Sequence, residues 1–494
     1  MIGPSYKPLV LGWGFLTGVS VRITIKNSEA SVLSILGNMG VALSAPCGGR
    51  HVCGKCKVNL IEGQVLGDTD NAGNFLACQG IPLTDITVEL PDELIIQNEV
   101  EASAAFSSAV RSGVALDIGT TTLSARLIDL DTGATLATRS ELNDQRVFGA
   151  DVVSRISAAR NGKTADLFGL IKRQTQRILS SFRVTELEQL TVSGNTTMLH
   201  LFTNTDPSSM GELPFTPVFL VERNIAGVEL SLPVREVKLL PSIGAFMGSD
   251  IVAGLASLDI LHGDNNALFI DIGTNGEMAL FHDRKLYCCS TAAGPAFEGA
   301  EISCGIGSVP GAINKITWSG EESRLSFTTI GDSPPLGVCG CGLIDAIAIM
   351  LSTGVIDETG AMDTERFTIS NGISLINRDV RQFQLAKGAI LSGIKILCKN
   401  AGVELSEVSV VFIAGGLGFF IDQRNAVRVG LLPREFLDRI KVCGNLSLKG
   451  AVQYLTEPGF LTAAKAIINK SILLDLAADP AFMDEFAENM LFVS

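Results

Sequence analysis

Histidine is scarce in this chain: His51, His200, His262 and His282 are the whole supply in 494 residues. A histidine-built metal centre is therefore set aside, and any metal is expected on thiolates. Basic charge is also in deficit. Lys and Arg total 38 against 52 Asp and Glu, a net charge of −14, which makes nucleic acid a poor partner. No apolar run approaches the roughly 18–20 residues needed to cross a bilayer, so no membrane role is expected. The first 18 residues, MIGPSYKPLVLGWGFLTG, show no clear small-residue cleavage site. They read as an irregular leader (1–19) rather than a signal peptide. Charged residues make up 18% and apolar ones 46%, which excludes a disordered chain and leaves ample material for two to four cores. The 11 cysteines are odd in number, which favours thiols and metal ligands over a disulfide framework, in a cytoplasmic protein.

Along the chain, VRITIKN (21–27) reads as a strand and SVLSILGNMG (31–40) as a short helix opened by Ser31. A Gly- and Cys-rich loop follows, then strands around KVNLIEGQVL and ITVEL. Residues 20–92 thus form one small α+β unit, and 93–112 an Ala/Ser-rich linker, partly helical in expectation. From 113 the pattern changes. VALDIGTTTLSARLIDLDTGA is strand, tight turn, return strand, and ALFIDIGTNGEMALFHDRKL repeats it. A third strand, VSVVFIAGG, ends in glycines, and helices are expected at 165–183, 249–262 and 384–401. Strands alternating with helices imply an α/β fold of two similar halves, 113–262 and 263–494.

The cysteine segment APCGGRHVCGKCKV, with LACQ downstream, has the spacing C-x5-C-x2-C-x21-C through Cys47, Cys53, Cys56 and Cys78. Plant-type 2Fe–2S ferredoxins use C-x4-C-x2-C with a distant fourth Cys. One extra residue is tolerable in a loop wrapped around a cluster. Gly48, Gly49 and Gly54 let backbone N–H groups approach the sulfides. A zinc ribbon would pair two C-x2-C knuckles, and here there is one. Of the remaining cysteines, Cys339 and Cys341 form a C-x-C beside a helix start, where a second cluster or a redox pair is the alternative to buried thiols.

The two Asp-Ile-Gly-Thr turns suit a phosphate. Gly119 and Gly273 allow the turn, and Thr120, Thr121, Thr122, Thr274, Asn275 and Gly276 line it with hydroxyls and amides. Asp117 and Asp271 end their strands where a carboxylate reaches Mg²⁺ directly or through water. Ordinary hairpin turns are the alternative. Two near-copies plus a glycine-rich third site at Gly415, Gly416 and Gly418 favour one nucleotide held between two half-domains.

LDIGTTT, FIDIGTNGE and FIAGGLG, in that order, resemble the two phosphate motifs and the adenosine motif of the actin/Hsp70/sugar-kinase ATPases. GSDIVAGLA resembles their first connecting helix, which implies that Asp250 orients the attacking water. A second such helix is expected near LKGAVQYL, with Gly450 and Ala451 as small contacts. The 2Fe–2S unit ahead of this ATPase, together with SGNTTM, TAAGPAFEGAEIS and CGCGLID, resembles the ATP-dependent reductive activators of corrinoid proteins over about 20–470. The resemblance implies a β-grasp ferredoxin domain followed by an actin-like (ribonuclease H-like) ATPase. It implies one-electron reduction of Co(II) to Co(I) in a corrinoid acceptor of the methyltransferase or methionine-synthase type. It further implies an unidentified low-potential electron donor and dimerisation through the ATPase half. The C-terminal ferredoxin-type cysteine repeats of some relatives do not occur here.

The expected cofactors are a 2Fe–2S cluster, ATP and Mg²⁺. Asp117, Asp250 and Asp271 are expected to carry the chemistry, Glu277 to contact ribose or Mg²⁺ with a plain surface residue as the alternative, and Gly415, Gly416 and Gly418 to lie under base and ribose. The segment 294–299, GPAFEG, is a candidate for supporting the site or meeting a partner, with a plain turn as the alternative. Arg50, His51, Lys55 and Lys57 around the cluster loop are candidates for guiding docking, with a solvated polar rim as the alternative. Co(I) lies below the roughly −400 mV of a plant-type cluster, and each 100 mV uphill costs about 2.3 kcal/mol per electron. ATP would offset that cost through a hinge between the halves. Three other readings remain open: an electron-injecting activator of a radical dehydratase, a redox-regulated kinase-like phosphotransferase, and a redox-gated binding protein with a degenerate ATP site.

Overall fold

A computed structural model describes residues 22–38, 43, 51, 56–70, 72–90, 111–184, 186–263, 265–320, 324–415, 417 and 421–492. The leader, residues 93–110 of the linker, Cys47, Cys53, Gly416 and Gly418 lie outside them, as do Gly48, Gly49, Arg50, Gly54 and Lys55.

The N-terminal unit pairs β1 (Arg22–Ile25), β2 (Lys57–Glu62), β3 (Asn74–Leu76) and β4 (Ile86–Glu89) in the order β1-β4-β2-β3, all antiparallel. The helix α1 (Val32–Asn38) starts where the Ser31 hydroxyl accepts from the Ser34 N–H at 3.3 Å. Ile25, Phe75, Ile86 and Val88 of the strands turn inward by alternation and meet Leu33 and Leu36 of α1 to make its core.

The next sheet runs through β5 (Ser112–Ile118), β6 (Thr122–Asp129), β7 (Thr135–Leu142), β8 (Gln189–Gly194), β9 (Arg223–Ala226) and β10 (Glu236–Leu239). Its order is β9-β10-β8-β5-β6-β7. Because Ser112 pairs with Asp129, β5 takes up the last residue expected in the linker. The helices α2 (Val152–Ala158), α3 (Thr164–Ser181) and α4 (Thr196–Phe202) belong to this half. After α5 (Ser249–Ser257) comes a second sheet, with β11 (Ala267–Ile272), β12 (Gly276–His282), β13 (Lys285–Thr291), β14 (Val410–Ala414), β15 (Ile440–Gly444) and β16 (Ser471–Leu473). Its order is β15-β14-β11-β12-β13-β16. The centres of the two sheets correspond. β5 pairs antiparallel with β6 and parallel with β8, as β11 does with β12 and β14. The remaining helices used here are α6 (Gly340–Ser352), α7 (Asn377–Ala401), α8 (Leu446–Thr456) and α9 (Phe460–Lys470).

Two helix boundaries differ from expectation. The first, α5, stops at Ser257 rather than 262, because Asp259 turns left-handed at φ 51°. The second, α7, starts at Asn377 rather than 384. There the buried Asp379 carboxylate accepts from the Ile376 and Ser303 N–H groups and anchors a first turn without apolar periodicity.

One apolar layer belongs to both halves. Ile251, Val252 and Leu255 of α5, Leu446, Leu448 and Ala451 of α8, and Phe460 and Ala464 of α9 pack with Ala115 of β5 and with Phe269 and Ala279 of the second sheet. The crossing is close: a Cβ on Gly450 would overlap the carbonyl oxygen of Ala253. Such a helix contact tolerates only a small residue. Gly450→Val is expected to destabilise the nucleotide-binding part by about 2 kcal/mol, measured as a lowered unfolding midpoint.

His200 of α4 is buried and stacked on Phe219, ring centroids 4.2 Å apart. Its Nδ1 donates to the Thr196 carbonyl at 2.8 Å, and its Nε2 accepts from the Val218 N–H at 3.0 Å. That geometry needs the neutral ring. Burial, aided by the Arg223 charge, holds the imidazole below the ordinary value of 6.5. The unfolded chain therefore binds the proton more readily than the folded one. The contribution is complete above 6.5 and is lost as pH falls through the folded value. Acid titration of thermal stability should show this loss, and His200→Gln should weaken it.

Candidate functional site

The first Asp-Ile-Gly-Thr turn joins β5 to β6, and the Gly119 N–H donates to the Thr122 carbonyl at 3.0 Å. Asn143, buried at the end of β7, fixes the turn from outside. Its amide donates to the Gly119 carbonyl at 2.8 Å, and its backbone N–H to that of Thr121 at 2.8 Å. The second turn joins β11 to β12, with the Gly273 N–H donating to the Asn275 carbonyl at 2.9 Å. The third site follows β14. Gly415 has φ 85°, and a Cβ there would strike the Asp271 carboxylate, so glycine is required on both counts.

The two turns face one another across a single cleft, and one side chain touches both. Glu298, in the turn Pro295–Glu298, accepts through Oε2 from the Thr121 hydroxyl at 2.9 Å and from the Thr274 hydroxyl. Beneath it lies Arg155 of α2, fully buried. Its guanidinium donates to the carbonyls of Thr120 at 2.5 Å and Gly149 at 3.1 Å. Burial pulls this guanidinium down to about 9, with the Asp151 and Glu298 charges opposing.

Four further carboxylates converge here. Asp250, at the start of α5, is pushed up to about 8 by burial and by the Asp271 and Asp117 charges. Asp271 is pushed up to about 7 by burial and by Asp117 and Glu298. Burial and the Asp250 and Asp271 charges raise Glu277, and burial raises Asp117 and Glu298. Both oxygens of Asp117 accept from side chains that follow the last glycine motif. Oδ2 accepts from the Asn445 amide at 2.8 Å and Oδ1 from the Ser447 hydroxyl at 2.7 Å. Asn445 caps α8, so this aspartate of the first half is tied to a helix following the last glycine motif.

Among the described residues no three His, Cys, Asp or Glu side chains are placed to hold a metal alone. Mg²⁺ commonly uses one or two carboxylates and completes its shell with phosphates and water. The acid-lined cleft with its hydroxyl-bearing turns fits a magnesium–nucleotide in that way.

The structure therefore brings together Asp117, Gly119, Thr120, Thr121, Thr122, Asp250, Asp271, Gly273, Thr274, Asn275, Gly276, Glu277 and Gly415. Sequence reasoning did not assign roles in this cleft to Glu298, Arg155, Asn445 or Ser447. GPAFEG had marked the Glu298 segment, and an Asn at a helix start was a cue for Asn445. Arg155, a lone arginine on an amphipathic stretch, carried no signal. The C-x-C pair opens α6. Cys339 caps the helix, and the Cys341 thiol donates to the Leu417 carbonyl at 3.2 Å, behind the third glycine site. A hydrogen bond from Cys341, with help from backbone N–H groups, brings the Cys339 thiol down to about 7.

In the N-terminal unit, Cys56 is 1% and Cys78 7% exposed, against the core of Leu33, Leu36 and Phe75. The Ala77 N–H donates to the Cys56 carbonyl at 2.8 Å, so both cysteines stand at one end of the sheet. None of the nine described cysteines forms a disulfide. Two thiols at one sheet end fit their half of a four-thiolate cluster site. His51 and Lys57 are exposed nearby in sequence. Cys78→Ser is expected to abolish the visible absorption and the reduced-state paramagnetic signal of a 2Fe–2S centre, while ATP binding to the second unit persists.

Comparison with known proteins adds three matched segments. Residues 15–83 match the 2Fe-2S iron-sulfur cluster binding domain, residues 112–262 the RACo middle region, and residues 265–494 the C-terminal domain of RACo, the ASKHA domain. The chain is 33% identical over 419 residues to the corrinoid activation enzyme RamQ of Eubacterium limosum, covering 77% of this chain and 70% of that protein. It is 28% identical over 400 residues to the [Co(II) methylated amine-specific corrinoid protein] reductase of Methanosarcina barkeri, covering 72% of each. Among solved structures, the reductive activator for corrinoid, iron-sulfur protein superposes with a TM-score of 0.73 at 26% identity. That match covers 95% of this chain and 96% of the other.

Proposed function

The chain belongs to the reductive activators of corrinoid proteins, and from that membership we propose that it uses ATP to return a corrinoid protein from Co(II) to Co(I). When bound, a 2Fe–2S cluster takes up and passes on one electron at a time. Cys47, Cys53, Cys56 and Cys78 would hold it, in a unit spanning 20–92 and joined by 93–112 to the ATPase halves 113–262 and 263–494. Thr120, Thr121 and Thr122 and the Thr274–Gly276 segment donate to the phosphates of ATP. Asp271 and Asp250 would hold Mg²⁺, directly or through water. Gly415 would serve the base and ribose, together with Gly416 and Gly418, which lie outside the described residues.

The observation that carries this reading is the meeting of the two turns across one cleft, bridged by Glu298. A phosphate chain entering there must draw on both halves at once. Asp117 extends the link, because its partners Asn445 and Ser447 belong to α8. Closure on ATP thus bears on the crossing of α5 and α8, where a hinge motion is expected. An uphill electron transfer needs such a mechanical input, at about 2.3 kcal/mol per 100 mV. A low-potential donor supplies the electron, a corrinoid methyl-transfer protein accepts it, and two copies associate through the ATPase half. Eleven cysteines, with no disulfide among the described ones, suit a reducing cytoplasm.

The test combines purified protein, a corrinoid acceptor, a low-potential donor and magnesium–ATP, followed by the visible spectrum. Co(I) should form with ATP and fail to accumulate without it. Equal formation in both cases contradicts the coupling.

A further inference from the structure

The carboxylates of the cleft differ in what already occupies them. Both Asp117 oxygens accept from α8. Asp250 accepts through Oδ1 from the Ile251 N–H of its own helix. Asp271 lies against Gly415, and Glu277 is buried beside Asn275. Glu298 is the one acid, among the described residues, that touches both phosphate turns. Both of these hydrogen bonds fall on Oε2. Its Oε1 receives no hydrogen bond from a described residue and lies 3.8 Å from the Cβ position of Gly273.

The backbone behind it is fixed. Ala296 and Phe297 are buried, and Phe297 packs edge-on against Phe383 of α7, centroids 5.7 Å apart. The carboxylate therefore projects from a rigid shelf of the second half into the cleft. The Thr121 and Thr274 hydroxyls meet on Glu298, so a terminal phosphate held by both turns would lie between them. A group within hydrogen-bond distance of both hydroxyls stands beside the terminal phosphorus.

Resting on the function proposed above, we propose that Glu298 orients the water that hydrolyses ATP and accepts its proton. The terminal phosphate takes over the Thr121 and Thr274 hydroxyls, which releases the carboxylate to receive the water. The water oxygen bonds to the terminal phosphorus, and the bridging P–O bond breaks. ADP leaves with the bonding electron pair, and the water proton passes to Glu298. Burial raises Glu298, which suits it to take a proton, and the Thr274 and Thr121 hydroxyls and the Arg155 charge oppose that rise. Asp250 then serves the cation and the closure of α5 rather than the water.

The test separates rate from affinity in the full-length protein with magnesium–ATP. Glu298→Gln keeps the size and still accepts from both threonines, but it no longer takes a proton. It should lower kcat for ATP hydrolysis by about 100-fold or more, with ATP affinity retained. Glu298→Asp, with the carboxylate drawn back, should give an intermediate rate at retained affinity. Thermal melts and the cluster spectrum report folding of both variants. Hydrolysis by Glu298→Gln near the unaltered rate would overturn the proposal. So would a fall in ATP affinity that matches the fall in rate, since the residue would then be a phosphate or cation ligand. Failure of the unaltered chain to hydrolyse ATP would overturn the functional reading together with this one.

Discussion

The structure turns on the crowding of five carboxylates, Asp117, Asp250, Asp271, Glu277 and Glu298, at the junction of the two halves. Like charges a few ångströms apart repel strongly once water is excluded, about 4 kcal/mol for a pair at 4 Å in an effective dielectric of about 20. Burial in the first place, and then this repulsion, raises Asp271 to about 7 and Asp250 to about 8. Such a cleft favours cations. A triphosphate, itself an anion, does not satisfy it alone, but a magnesium–nucleotide does. Binding and metal loading are coupled by this charge arrangement before any conformational change is considered.

The rest of the fold holds that arrangement in place from both sides. The two sheets repeat one pattern, so each sends an Asp-Ile-Gly-Thr turn to the same cleft. Behind the turns, α5 and α8 cross with backbone contact at Gly450 and share one apolar layer with both sheets. Asp117 reaches over this crossing to Asn445 and Ser447. The cleft and the helix crossing are therefore joined through Asp117 and α8, and the proposed closure on ATP would be felt at that crossing. An energy-coupled electron carrier needs this property, because work done on a phosphate has to appear as movement elsewhere.

Much of this was legible in the sequence, for identifiable reasons. Local chemistry announces itself by repetition: one strand ending in Asp-Ile-Gly-Thr could be an ordinary hairpin, but its second copy points to a duplicated half-domain. The cysteine spacing likewise carries its own geometry, although Cys47 and Cys53 lie outside the described residues. What stayed hidden depends on pairs far apart in the chain. Thr121 and Glu298 are separated by 177 positions, and Asp117 and Asn445 by 328. No periodicity links such residues. The early start of α7 was hidden for a related reason. Asp379 is satisfied by Ser303, on a segment that sequence alone does not bring near.

The acid cluster should make nucleotide binding depend on a divalent cation. This dependence is tested most directly by calorimetric titration of the full-length protein with ATP, with Mg²⁺ present and with Mg²⁺ removed by a chelator. The account predicts tight binding with Mg²⁺ and loss of most of the affinity without it. Equal affinity under the two conditions would contradict it.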